Sequence, residues 1–193
     1  MSLRLFSALC LTLATSFCAA SEPAASATWS GTASITFSGT STLHDWSGTV
    51  RARPFTLQVT SGSDGRPLHL RSQVVIDAAE MDTADKRRDA VMHRCMRVTE
   101  HPLIEAVIDV PAKDVASDGK TPTRLPLKLQ LMGKPHAKVA DIRNWRLSGD
   151  KAEFDLHCDL SLKEAGIVIP SVLWVIRVGD TIRLHAAVQL TRN

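Results

Sequence analysis

Ser41-Thr42-Leu43-His44-Asp45-Trp46-Ser47-Gly48 lies between two stretches that alternate with a period of two. Upstream, Ala33, Ile35 and Phe37 share one face, with Ser34, Thr36 and Ser38 on the other. Downstream, Phe55, Leu57 and Val59 alternate with Thr56, Gln58 and Thr60. Successive strand residues point to opposite faces, so both flanks read as strands with one dry and one wet side. Gly39 and Gly48 bracket the cluster, and glycine inside a strand pattern marks a bulge or bend. The stretch therefore reads as the bent opening of a barrel. Its three crowded residues have ordinary roles available. Trp46 packs at the core or mouth, Asp45 accepts hydrogen bonds from turn amides, and His44 is a structural histidine.

The same alternation continues along the chain. Leu68, Leu70, Val74 and Ile76 follow a turn at Ser61-Gly62-Ser63-Asp64-Gly65. Ile104, Ala106, Ile108 and Val110 form another run, followed by a turn at Asp118-Gly119-Lys120. Leu125, Leu127, Leu129 and Leu131 are the cleanest alternation, with a turn at Gly133-Lys134-Pro135 after them. Val139 to Ile142 and Trp145 to Leu147 read as a strand pair with a loop or irregularity between them. Phe154, Leu156, Cys158, Leu160 and Leu162 form a run that Lys163-Glu164-Ala165-Gly166 breaks. Ile182, Leu184, Ala186, Val188 and Leu190 close the chain.

One segment changes period. Asp82 or Thr83 caps a predicted helix, with Asp85 in its first turn. Lys86-Arg87-Arg88-Asp89 is placed on mostly solvated surface. Val91, Cys95 and Val98 make one apolar stripe, Met92 and Met96 a second, and Pro102 stops the helix by His101. One-sided strands in series with a single helix predict an all-β protein, an antiparallel sheet closed into a barrel of about eight strands.

The N-terminus reads as a secretory signal. Arg4 precedes an apolar run from Leu5 to Phe17, and Ala20 or Ala27 is the cleavage position. Residues 1–27 are thus assigned to the leader and 28–193 to one domain, in the periplasm. Cys95 and Cys158 remain after cleavage and are read as separate buried thiols. A bridge between them would close a long loop and contribute roughly 4 kcal/mol.

A net charge of +3 and scattered basic residues give no nucleic-acid footprint. Aromatic content of 5% with no tyrosine supplies no stacking platform for single strands. No nucleophile elbow, phosphate loop or dinucleotide fingerprint occurs. None of the seven histidines has a partner at local ligand spacing, so no metal is expected. Asp155 and Asp159 share a strand face that should be in water.

Four pieces together resemble the bacterial YceI-like, polyisoprenoid-binding proteins. They are Gly39 to Gly48; Met81 to Pro102, with Arg88-Asp89, Met92-His93 and His101-Pro102; Leu127 to Gly133; and Leu160-Ser161-Leu162 with Ala165-Gly166-Ile167 and Ile169-Pro170-Ser171. The resemblance spans about Trp29 to Leu190. It implies a lipocalin-like eight-stranded barrel with a helical segment near one mouth, and an elongated apolar cavity holding an isoprenoid chain. A quinone tail or a related amphiphile is the implied ligand; no cofactor is expected. It also implies transient contact with the membrane or a quinone-linked membrane protein. The usual Leu-Thr-x-x-Gly turn of the family stands here as Leu129-Gln130-Leu131-Met132-Gly133, without the threonine.

The expected ligand-binding residues are Ile35, Phe37, Leu43, His44, Trp46, Met92, Met96, Leu127, Leu129, Leu131, Leu156, Leu184 and Val188. No catalytic residue is assigned. Two other readings stand beside the carrier: a solid barrel serving an envelope complex, and a lipid-modifying enzyme using His44 and Asp45 as an acid–base pair.

Overall fold

Among the described residues, nine strands and one α-helix follow the period of the sequence. In the computed structural model, which describes residues 25–42, 44–116, 121–169 and 178–193, the strands are β1 (Ala25–Gly39), β2 (Trp46–Arg51), β3 (Phe55–Ser61), β4 (Pro67–Asp77), β5 (Leu103–Pro111), β6 (Arg124–Leu131), β7 (Lys134–Ser148), β8 (Lys151–Ser161) and β9 (Thr181–Arg192), with α1 (Lys86–Cys95) between β4 and β5. Every pairing is antiparallel, and β1 pairs with β9 from Trp29↔Arg192 to Ser38↔Arg183, which closes the sheet. The β5–β6 seam is the shortest of the wall, paired only from Glu105↔Gln130 to Val107↔Lys128.

Nine strands make an eight-stranded wall because β2 and β3 share one position. The first half of β1 pairs with β3 and the second half with β2. Between them, Ala52 to Pro54 interrupts the ladder: Arg53 N–H donates to Val75 O at 2.8 Å, and Pro54 has no N–H to add. The expected bent opening is thus mostly strand. Only residues 40–45 form the connection, and Trp46 begins β2.

Gly39 and Gly48 are points of close approach rather than bulges. In the register of β1 and β2, Phe37 faces Gly48 and Gly39 faces Trp46. A Cβ on Gly48 would lie 2.3 Å from the Phe37 ring, and one on Gly39 2.7 Å from the Trp46 ring. Each aromatic lies over the opposite glycine, and the two rings meet edge-on with centroids 6.3 Å apart. This places two large rings side by side at the mouth.

Two other expectations change. Val139 to Ile142 and Trp145 to Leu147 belong to one strand, β7, with a bulge between Arg143 and Arg146 and Asn144 at φ +54°. The helix starts later and ends sooner than predicted. Asp85 is its N-cap, accepting the N–H groups of Arg87 and Arg88 at 2.9 and 3.1 Å. Asp82 instead accepts Ala84 N–H at 2.7 Å, and Thr83 donates to Asp89 through both N–H and hydroxyl, at 2.9 and 2.6 Å. Arg97 takes φ +52°, so the chain leaves the helix before Pro102 can stop it, and Val98 lies beyond α1. The turn Met132-Gly133 connects β6 to β7; the turn expected at Asp118-Gly119-Lys120 lies outside the described residues.

Inside the barrel, one end is filled. Ala33, Ala152, Val188 and Leu190 are buried among Trp29, Phe55, Trp145 and Phe154. Ile108, Val115 and Leu125 extend this packing across β5 and β6. The other end carries α1, held there by Thr49 and Asp82, which exchange backbone hydrogen bonds at 2.7 and 3.0 Å.

Candidate functional site

Alternation points Ile35 and Phe37 of β1, Leu129 and Leu131 of β6, and Leu184 of β9 into the barrel at the α1 end. They do not meet. Between them lies a cavity of about 540 Å³, within the range of small-molecule sites. Val50, Ile76, Ile104, Leu160 and Ile182 complete the wall from strands β2, β4, β5, β8 and β9. From above, α1 contributes Met92 and Cys95, and its C-cap Met96 adds a third side chain. The segment after β8 folds over the opening and adds Leu162, Ile167 and Ile169, with Val178 beyond it. Ile167 N–H donates to Leu162 O at 2.8 Å and Ala165 N–H to Ser161 O at 3.0 Å, which fixes that fold-over.

The rim is polar. Ser41, His44, Asp85, Arg87 and Arg88 line it, with Trp46 just below. Ser41 Oγ donates to His44 O at 2.7 Å and accepts His44 N–H at 3.3 Å, so a closed turn presents the imidazole. Arg88 Nη2 stands 3.8 Å from Asp85 Oδ2. The N–H groups of Arg88 and Arg87 hold the Asp85 carboxyl below its usual range. Lys86 and Arg87 are exposed, as the expected mostly solvated surface requires, while Arg88 and Asp89 are half-buried. At 3.6 residues per turn, Arg87 continues the stripe of Val91 and Cys95, and Arg88 that of Met92 and Met96. The two guanidinium groups are therefore the outer ends of apolar stripes that face the cavity. Asp89 turns the other way, to Thr83.

Nine of the expected ligand-binding residues line this cavity: Ile35, Phe37, His44, Trp46, Met92, Met96, Leu129, Leu131 and Leu184. Leu43 lies outside the described residues. Leu127, Leu156 and Val188 point inward but belong to the packed end, against Leu125 and Ala152 and their neighbours. They share a face with the cavity residues, yet the strands are long enough to pass through both the filled and the open part of the barrel. The wall residues missed by the sequence reading were Val50, Ile76, Met81, Val91, Cys95, Ile104, Leu160, Leu162, Ile167, Ile169, Val178 and Ile182, with Ser41, Asp85, Arg87 and Arg88 at the rim. Their alternation or stripe was visible; their height along the barrel axis was not.

Cys95 and Cys158 are both free. Burial pushes each thiol up from its ordinary value, so both stay protonated and weakly nucleophilic. Asp45 is exposed and does not line the cavity, and no hydrogen bond joins its side chain to that of His44.

No family model and no curated protein matches the sequence. Solved structures match the fold. A polyisoprenoid-binding domain from Saccharophagus degradans, implicated in plant cell wall breakdown, superposes with a TM-score of 0.60 at 12% identity, over 85% of this chain and 98% of that one. BcnA from Burkholderia cenocepacia superposes with a TM-score of 0.59 at 13% identity, over 81% and 95%. The chain therefore shares the fold of these two proteins, a closed antiparallel barrel with eight wall positions, one extra strand and, among the described residues, one α-helix.

Proposed function

We propose that this protein is a YceI-like binding protein of the periplasm that carries or sequesters an amphiphile, with an isoprenoid chain, such as a quinone tail, in the cavity and the polar head at the rim. The observation that carries this reading is the apolar volume of about 540 Å³ closed by α1. Each buried carbon contributes about 0.8 kcal/mol, hence about 4 kcal/mol per five-carbon isoprene unit. A polyisoprenoid-binding domain of the same fold supports the ligand class. At the rim, Arg87, Arg88 and the His44 ring offer donors to a carbonyl or anionic head group.

A binding role fits better than a chemical one. The proposed acid–base pair finds no support, since Asp45 is exposed and does not line the cavity that His44 lines. A solid accessory barrel leaves the open volume without a role.

Secretion belongs to the same proposal. Cleavage after Ala20 leaves β1 whole, whereas cleavage after Ala27 removes three residues that pair with Val59 to Ser61. The proposal therefore takes Ala20, to be checked by the intact mass of protein recovered from the periplasm.

Lipid extracted from protein purified after export, read by mass spectrometry, tests the ligand. Wild type should yield an isoprenoid lipid of unchanged mass on incubation. Leu129→Trp and Leu184→Trp, which fill the cavity, should yield several-fold less while remaining folded. Equal recovery from wild type and both variants would refute the cavity as the site.

A further inference from the structure

The outer wall of β8 and β9 carries a cluster that the lipid site does not use. His157 and His185 are directly opposite in the β8–β9 register, on the wet face. Their rings stack with centroids 4.7 Å apart and planes 22° from parallel. Asp155 lies two residues before His157 on the same face, and its Oδ1 is 3.2 Å from His185 Nε2. One ligand atom from each of the three falls within 4.8 Å of the others. We propose that Asp155, His157 and His185 form a binding site for one borderline divalent transition-metal ion, Zn²⁺ or Cu²⁺.

Coordination at about 2.0–2.2 Å allows ligand atoms at most about 4.4 Å apart, so small side-chain rotations close the site on an ion. The ion takes the place of the proton between His185 Nε2 and Asp155 Oδ1. Two imidazole nitrogens and one carboxylate suit copper and zinc, with copper the tighter, whereas calcium and magnesium select oxygen.

The carboxylate is already oriented. Asn144 Nδ2 donates to Asp155 Oδ2 at 2.6 Å, which leaves Oδ1 turned toward the histidine. Asn144 reaches this position because it occupies the β7 bulge, with φ +54°. Bulges re-aim side chains, and outer groups that fix a ligand tune affinity. The His69–Asp109 contact on β4 and β5, at 2.5 Å, is the contrast: it has Arg71 beside it and no second imidazole.

The charges around the cluster are close to balanced. Asp141 and Arg143 of β7 stand opposite His157 and Asp155, with Arg143 Nη2 3.8 Å from Asp141 Oδ2. Asp159 and Arg183 are the next outward pair along β8 and β9, and β1 places uncharged Thr36 beside His185. The cluster stands on the outer wall, apart from the cavity, and neither site needs the other.

Calorimetric titration of the full mature protein with Zn²⁺, and electron paramagnetic resonance with Cu²⁺, tests the site. One equivalent should bind, with nitrogen couplings on copper. His157→Gln and His185→Gln should each weaken binding more than tenfold and remove those couplings. Asn144→Ala should weaken it at least about tenfold, and His69→Gln should leave it unchanged. Far-UV circular dichroism and thermal melts should show these wet-face variants folded. Absence of saturable binding, or one-equivalent binding that survives the His157→Gln/His185→Gln pair, would overturn the proposal.

Discussion

At the closed end of the barrel, Trp29, Phe55, Trp145 and Phe154 meet around Ala33, Ala152, Val188 and Leu190. At the mouth end, the same wall carries Ile, Leu, Val and Met around an open volume. Both ends show one alternation, apolar in and polar out. The difference is side-chain size. Four of the six described Phe and Trp residues stand at the closed end, where Trp145 and Phe154 pack with centroids 5.4 Å apart. The two at the mouth, Phe37 and Trp46, are seated against glycines of the neighbouring strand, where a side chain would leave the rings no room. Binary pattern makes the barrel, and the distribution of bulk along its axis decides where it is hollow.

The largest effect should come from truncating the filled end. Leu190→Ala should cost about 3–4 kcal/mol, within the usual range for a buried leucine. Leu184→Ala should cost about 2 kcal/mol, because one side of Leu184 already faces empty space and has fewer contacts to lose. Urea unfolding of both variants would measure the gap, and equal losses would mean that the two ends are packed alike.

The glycine seats come next. Gly48→Ala puts a methyl group 2.3 Å from the Phe37 ring and 2.8 Å from the backbone oxygen of Asp82. Displacing the ring into the cavity should cost about 1–3 kcal/mol and reduce lipid recovery. Unchanged melting together with unchanged lipid content would show that Phe37 has another place to go.

His136 sharpens the contrast from the other side. It sits opposite Leu129 on the inner wall, and its Nε2 is buried without a hydrogen-bond partner. An unsatisfied buried polar atom costs stability. His136→Leu should therefore raise stability by about 1 kcal/mol in the same urea experiment, and a loss would imply that the imidazole has a partner.

Acid should act on the mouth before the closed end, as a smaller and local effect. Backbone N–H groups hold Asp85 low, and the Thr83 hydroxyl does the same, first among its causes, for Asp89. Their folded pKa values lie below the ordinary 3.8. The stabilisation they provide is complete above that value and fades as the pH falls through the lower folded one. Helical circular dichroism should decline, and bound lipid should be released, before the sheet signal is lost. Asp85→Asn keeps a capping side chain but no ionisable group, so it should blunt the acid dependence; an identical acid profile would place the sensitivity elsewhere.

The class of fold and the inward set of most strands were legible in the residues because side-chain direction in a strand depends only on position parity; β2 was hidden in the expected bent opening, β7 read as two strands, and Leu68 of β4 is exposed. Leu125 to Leu131 and Ile182 to Leu190 face inward as their alternation requires. The helix was legible as a change of period, and the arginines at its start could have been placed at the mouth by extending the stripes of Val91 and Met92 one turn back. Three features came only from tertiary structure. Parity carries no information about height along the barrel, so Leu127 and Leu129 look identical in sequence although one is packed and the other faces the cavity. The split of one wall position into β2 and β3 depends on which partner takes each half of β1. His157 and His185 become neighbours only when β8 and β9 pair in register, across a separation that no local ligand spacing detects. In each case the chain specifies a direction for the side chain, and the closure of the sheet decides what that side chain meets.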